Sequence, residues 1–236
     1  IVSEDRDGTV MDITSYGRTI RVNLRLPGRG SCYDALAAYA AAELMGASID
    51  DIRYVLEAFR PLPGRLQLLR ASNGALIIND CWTSSPESVA EAAAYFAKFD
   101  GQRKIVVLGE MEDLGGYAAE AHFEAGQQMA SAGAELLLAT GPHAEDIASG
   151  AAAHSRTRVQ TFPDARSIAG YLRTDRRPGD VVLFKAGRES RFEQIISHVY
   201  HDKELTPLAG EPEWRRKKPK PGKLRDVRDS RKEGDG

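Results

Sequence analysis

Leu76–Val89, LIINDCWTSSPESV, compresses a strand, a polar turn and a helix start into one short stretch. Leu76, Ile77 and Ile78 form an apolar run, Asn79 to Ser85 supply polar side chains at its carboxyl end, and Pro86 and Glu87 suit the first turn of a helix. In a parallel α/β sheet the carboxyl end of a strand is where ligands bind. The stretch therefore predicts an α/β sheet and marks the edge at which to look for chemistry.

Downstream of it, strand and helix patterns alternate. Strands are expected at 66–70, 75–79, 104–109, 135–139, 158–162 and 180–185, and helices at 86–98, 117–132, 142–153, 164–173 and 189–200. Ile105-Val106-Val107-Leu108 and Val181-Val182-Leu183-Phe184 have no polar face, as required when helices cover both sides of a parallel sheet. The expectation is a doubly wound, Rossmann-like domain.

Upstream, residues 1–26 alternate polar and apolar, which predicts two or three antiparallel strands. Tyr33–Met45, rich in Ala and Leu, reads as a buried helix ending at Gly46, and Ile49–Phe59 as a second helix capped by Ser48. Arg60-Pro61-Leu62-Pro63-Gly64-Arg65 breaks the periodicity and marks the expected boundary. Three units follow: 1–62, 63–202, and a charged, Pro-rich tail over 203–236, expected to be disordered because it cannot bury enough apolar surface to offset its ordering entropy.

A chain of 236 residues with 42% hydrophobic and 28% charged content is ordinary globular material. Its net charge of -2 gives no bias toward nucleic acid, and no apolar run approaches the roughly 20 residues that span a bilayer. Cys32 and Cys81 are too few for a disulfide scaffold or a zinc site and fit a reducing compartment, so a cytoplasmic protein is expected. The chain starts at Ile1, which reads as a fragment of something longer.

Five blocks, LPGRGSCYDALAAYAAAELMG, AFRPLPGRLQ, LIINDCWTSSPESVAEA, VVLGEMEDLGGYAAEAHFEAG and GDVVLFKAGRESRFEQII, resemble in order and spacing the second half of the Mur ligases. These ATP-dependent enzymes build the peptidoglycan stem peptide by forming amides, and the nearest branch adds D-alanyl-D-alanine to a UDP-MurNAc-tripeptide. The resemblance implies that residues 1–62 end a central ATPase domain and that 63–202 are a C-terminal Rossmann-like domain. It further implies ATP and Mg2+ as cofactors, with the magnesium ligands outside this chain. The implied partners are a UDP-MurNAc-peptide and an amino acid or dipeptide, the protein being monomeric. No G-x-x-x-x-G-K-[ST] phosphate loop occurs in these residues, so the chain by itself is not expected to turn over ATP.

The resemblance also assigns roles. Asp80 matches the aspartate that holds the ATP ribose, where a carboxylate accepts from both hydroxyls; read from local chemistry alone it is equally a turn or cap residue. Arg65 matches a nucleotide-contacting arginine at the interdomain hinge, or is a surface arginine there. Thr83, Ser84 and Ser85 stand where the D-alanyl-D-alanine ligases carry Asn-Ala-Asn, and either bond the incoming substrate or cap the helix at Pro86. Gly30, Ser31 and Asp34 replace the family's His-Asn and a following Asn, which puts Ser31 in the place that reads adenine. Lys185 and Arg188 match a Lys-Gly-Ser-Arg turn that binds a substrate carboxylate or an acyl-phosphate, against a solvated basic pair. Glu110 and Asp113 either orient the incoming amine or cap the next helix, and His122, among Ala and Phe, reads as a packed core histidine. The substitutions at 30–31 and 83–85 also admit a second reading, a Mur-like binding module that has lost ATP handling.

Overall fold

The computed structural model describes residues 1–153, 156–200 and 205–208. The chain opens with β1 (Ser3–Glu4), β2 (Thr9–Ser15) and β3 (Arg18–Leu24), an antiparallel sheet in sequence order. β2 and β3 are joined by the two-residue turn Tyr16-Gly17, both at positive φ (45° and 76°), whose backbone twist matches that of the paired strands. One face, Met11, Ile13, Val22 and Leu24, packs on Cys32, Ala35 and Tyr39 of α1 (Arg29–Leu44) and Ile52 of α2 (Ile49–Ala58). α1 begins four residues before the expected Tyr33 and ends in a Schellman turn, with Gly46 at φ 82° and Ala47 N–H donating to the Ala42 carbonyl. Ser48 caps α2 by accepting from Asp51 N–H at 3.1 Å.

The remaining elements build a seven-stranded sheet: β4 (Gln67–Ala71), β5 (Leu76–Asp80), α3 (Pro86–Phe96), β6 (Arg103–Leu108), α4 (Ala118–Ser131), β7 (Leu136–Thr140), α5 (Ala144–Ala152), β8 (Arg158–Phe162), α6 (Ala165–Asp175), β9 (Asp180–Lys185), α7 (Glu193–Tyr200) and β10 (Leu205–Pro207). The strand order is β10-β4-β5-β9-β6-β7-β8, parallel from β5 to β8, with β4 and β10 antiparallel at one edge. Alternate strand residues serve opposite faces. Ile78, Val106, Leu108, Leu137 and Leu183 pack under α3, α4 and α5; Ile77, Ile105, Val107, Leu138 and Phe184 pack under α6 and α7. This is the expected mostly parallel α/β architecture with helices on both faces.

Within the segment 203–236 that the sequence assigns to a charged tail, Leu205–Pro207 pair with Leu69–Ala71 as an edge strand. Three residues of backbone pairing order a segment whose composition has no apolar pattern; Pro207 is tolerated because the strand is at the edge. Residues 203, 204 and 209–236 of that segment lie outside the described residues.

Two features set the position of the site. β9 lies between β5 and β6, and the connections of those two neighbours leave toward α3 and α4 while that of β9 leaves toward α7 on the opposite face. The carboxyl ends of these strands thus flank a topological switch point, the crevice where open α/β sheets take ligands. The N-terminal layer is held over this edge by one face of α3. Glu91 Oε1 accepts from Gly30 N–H at 2.7 Å, Tyr95 Oη donates to the Arg6 carbonyl at 2.8 Å, and Lys98 Nζ pairs with Glu4 at 2.6 Å.

Candidate active-site cleft

A cavity of about 620 Å³ separates the N-terminal layer from the carboxyl edge of the seven-stranded sheet. Leu26, Ala35, Phe59 and Leu66 give it apolar walls; Ser31, Asp34, Arg65, Asp80, Thr83 and Glu91 supply its polar groups. Of the residues singled out in the sequence, Gly30, Ser31, Asp34, Arg65, Asp80 and Thr83 therefore meet in one cleft, from α1, the 59–66 connection and the end of β5 with the turn that follows it.

Asp80 is the hub. It is buried, its Oδ1 accepts from Leu66 N–H at 3.0 Å, and its Oδ2 lies 2.9 Å from Lys185 Nζ. Lys185 has no exposed surface and also donates to the Thr83 carbonyl. Its ammonium is thus spent on Asp80 and the Thr83 carbonyl, and Lys185 is not among the residues that line the cavity, so it orients the aspartate from behind. Next in the chain, the Cys81 thiol is pushed well above its ordinary range, first by burial and then by the Asp80 charge. Its Sγ donates to the Phe184 carbonyl at 3.5 Å, so it is a structural thiol with no nucleophilic character.

The hydroxyls of the turn divide. Ser85 is the N-cap of α3 in a reciprocal capping box with Ser88, and is committed to the backbone. Ser84 Oγ is buried with no hydrogen-bond partner among the described residues, and Thr83 is exposed on the cleft. On the opposite wall Ser31 Oγ donates to the Pro27 carbonyl at 2.6 Å, and the Gly30 N–H is taken by Glu91. A Cβ at Gly30 would stand 2.7 Å from Glu91 Oε1, so glycine here is what admits the Glu91 carboxylate.

Glu110 follows β6 and is not among the cleft's walls. Its Oε2 is buried without a hydrogen-bond partner among the described residues, 3.8 Å from His122 Nε2 and facing Gly141. His122 is fully buried, as expected of a core histidine, and staples two elements. Its Nδ1 donates to the Ala118 carbonyl at 2.7 Å and its Nε2 accepts from Met111 N–H at 2.8 Å. His143 stacks on it with ring centroids 4.7 Å apart. Among the described residues, Glu110, His122 and His143 are the one grouping of ligand-bearing side chains close enough to hold an ion. It does not suit magnesium, which wants octahedral oxygen, and the His122 lone pair is already given to Met111.

Arg188 opens a 3-10 turn after β9, and its guanidinium lies 4.4 Å from the centre of the Trp82 ring; Arg65 approaches the same ring at 6.0 Å. Trp82 escaped the sequence reading. It follows Asp80 by two residues in the opening stretch, and the signal available was an aromatic in a turn otherwise made of small polar residues.

Fold and cleft together define a protein that closes an α/β crevice against a second, smaller layer. The sequence profile of the Mur ligase glutamate ligase domain matches residues 64–188, and the chain belongs to the Mur ligase family. Within that family it is 28% identical over 200 residues to the UDP-N-acetylmuramoyl-tripeptide--D-alanyl-D-alanine ligase of Bacillus subtilis, covering 84% of this chain and 43% of that protein. MurF from Acinetobacter baumannii superposes with a TM-score of 0.76 at 24% identity, covering 85% of this chain and 44% of that one. MurF from Thermotoga maritima, solved in complex with ADP, superposes with a TM-score of 0.67 at 27% identity, covering 84% and 44%. The chain thus spans less than half the length of these relatives. Among the described residues no helix is long and apolar enough to cross a membrane.

Proposed function

We propose that this chain is the nucleotide-closing half of an ATP-dependent, amide-forming ligase of peptidoglycan precursor synthesis in the cytoplasm. Such an enzyme adds a D-alanyl-D-alanine-like amine to a UDP-MurNAc-peptide. The observation that carries this reading is the cleft itself, in which Asp80, Arg65 and Ser31 converge from two layers at a switch point of the sheet.

The cleft's dimensions and groups fit a nucleoside: apolar walls for a base, and an aspartate with a free lone pair on each oxygen for ribose hydroxyls. ATP held there supplies the phosphoryl group that turns the substrate carboxylate into an acyl-phosphate. Asp80 fixes the ribose, and the buried Lys185, 2.9 Å from its Oδ2, keeps that carboxylate aimed. Arg65 and Arg188, both exposed, offer guanidiniums to the charge that builds on the transferred phosphoryl group and on the oxyanion formed when the amine attacks. Thr83 stands where the incoming amine component is received. Because Arg65 and Ser31 belong to different layers, the full set exists only when the layers are closed, and the 59–66 connection is the hinge.

A second reading has an observation of its own: Gly30 N–H and Ser31 Oγ are both occupied by protein partners, Glu91 and the Pro27 carbonyl. This favours a Mur-like binding module without nucleotide. Calorimetric titration of the chain with ADP separates the two. Saturable binding that falls at least tenfold in Asp80→Ala supports the ligase half; a folded chain that takes up no ADP leaves the module.

A further inference from the structure

Trp82 is 42% exposed, yet its place is closely determined. Its backbone N–H donates to the Gly64 carbonyl at 3.0 Å, which ties the turn after β5 to the hinge, and its ring receives one arginine from that hinge and one from the turn after β9. Among the described residues neither Arg65 nor Arg188 has a carboxylate within ion-pair distance. Two exposed guanidiniums on separate segments would ordinarily be scattered by side-chain entropy and mutual repulsion. A carboxylate between them would gather them but neutralise them; an indole face gathers them through its quadrupole and leaves both charges intact.

We infer that Trp82 is a positioning residue that holds Arg65 and Arg188 as a charged pair for an anionic phosphoryl group at the mouth of the cleft. The inference rests on the nucleotide reading above and names how its phosphate end is prepared. Both arginines stand on the rim of the large sheet: Gly64 and Leu66, on either side of Arg65, are bonded to Trp82 and Asp80, and Arg188 follows β9. The ring touches the arginines, and the arginines touch the anion.

The test uses the chain with inorganic pyrophosphate and with ADP, both without magnesium, titrated by calorimetry. In Trp82→Leu, pyrophosphate affinity is expected to fall about three- to tenfold, and Trp82→Phe is expected to recover most of it. In a background lacking both arginines (Arg65→Ala with Arg188→Ala) the same Trp82→Leu change is expected to cost nothing. Side-chain NMR of arginine-labelled protein reads the pairing directly, since the Arg188 Nε–H resonance should lose its ring-current shift in Trp82→Leu. An equal loss of affinity with and without the arginines, or no ring-current shift, overturns the inference. Pyrophosphate binding with full coupling but no ADP binding sinks the nucleotide reading and leaves the Trp82 role standing. ADP binding without coupling does the reverse, and a chain that binds neither ligand overturns both.

Discussion

Lys185, with no exposed surface, and Asp80, nearly as buried, form an ion pair at the end of two adjacent parallel strands. Removing one partner of such a pair strands the other's charge in a low-dielectric site, so Lys185→Met is expected to cost about 3–5 kcal/mol of stability in urea denaturation. The double change Asp80→Asn with Lys185→Met should recover part of that loss, because no uncompensated charge remains. Cys81 makes a pH prediction. Its folded thiol titrates well above the unfolded one, so the folded state retains its proton where the unfolded chain, above roughly pH 8.5, has lost it. Stability is then fully present below that pH and falls as pH rises toward the folded value. Urea midpoints measured at pH 7, 8.5 and 9.5 should decline more in the native sequence than in Cys81→Ala. The buried hydroxyls of Tyr95 and Tyr200, likewise pushed upward by burial, add to the loss above roughly pH 10.

At the scale of one element, α3 carries both its own start signal and the contact that closes the cleft. Ser85→Ala removes the cap and is expected to cost about 1 kcal/mol without altering ADP affinity by more than the fold-stability change implies. The side chains of Glu91 and Tyr95, with Lys98 just past the helix end, repeat at spacings of four and three and so lie along one side. Lys98→Ala with Tyr95→Phe should leave the seven-stranded sheet intact while loosening β1 and α1, which hydrogen exchange would report as lost protection confined to residues 1–58. The helix was legible in the sequence as a capped apolar stripe at 86–98. Its polar edge was not, because Gly30, Arg6 and Glu4 lie 61, 89 and 94 positions away along the chain and nothing local marks them.

At the scale of the molecule, core size separates the two layers. Among the described residues, eight buried apolar side chains hold the N-terminal sheet to α1 and α2, against 22 and 20 in the two clusters that flank the large sheet. Leu44, Met45 and Tyr54 remain well exposed on α1 and α2. Burial at about 25 cal/mol per Å2 of apolar surface then makes the small layer the first to open, and amides of β2 and β3 should exchange at lower opening free energies than those of β6 and β9. ADP, if it binds across the cleft, should narrow that gap by stabilising both layers in contact. The far end of the sheet has a separate brace. Arg103 is bonded to Asp180 and Asp175 at the amino ends of β6 and β9, well away from the cleft, and has no part in the proposed chemistry.

Hydrophobic periodicity, turn chemistry and caps are local, so the alternation of strand and helix, the Ser48 and Ser85 caps and the polar carboxyl end of β5 were all determined by the sequence on its own. Five collinear blocks carried the family with them. What only the tertiary structure decided depends on pairing across the chain. Lys185, which looks in sequence like a free cation at a strand end, is committed to Asp80 because β9 inserts between β5 and β6. Glu110 turns toward His122 and leaves the cleft, while Trp82 is made the meeting point of two arginines more than 100 positions apart. Composition and spacing carry no record of such contacts, since the free energy that fixes them appears only once distant segments share one desolvated edge.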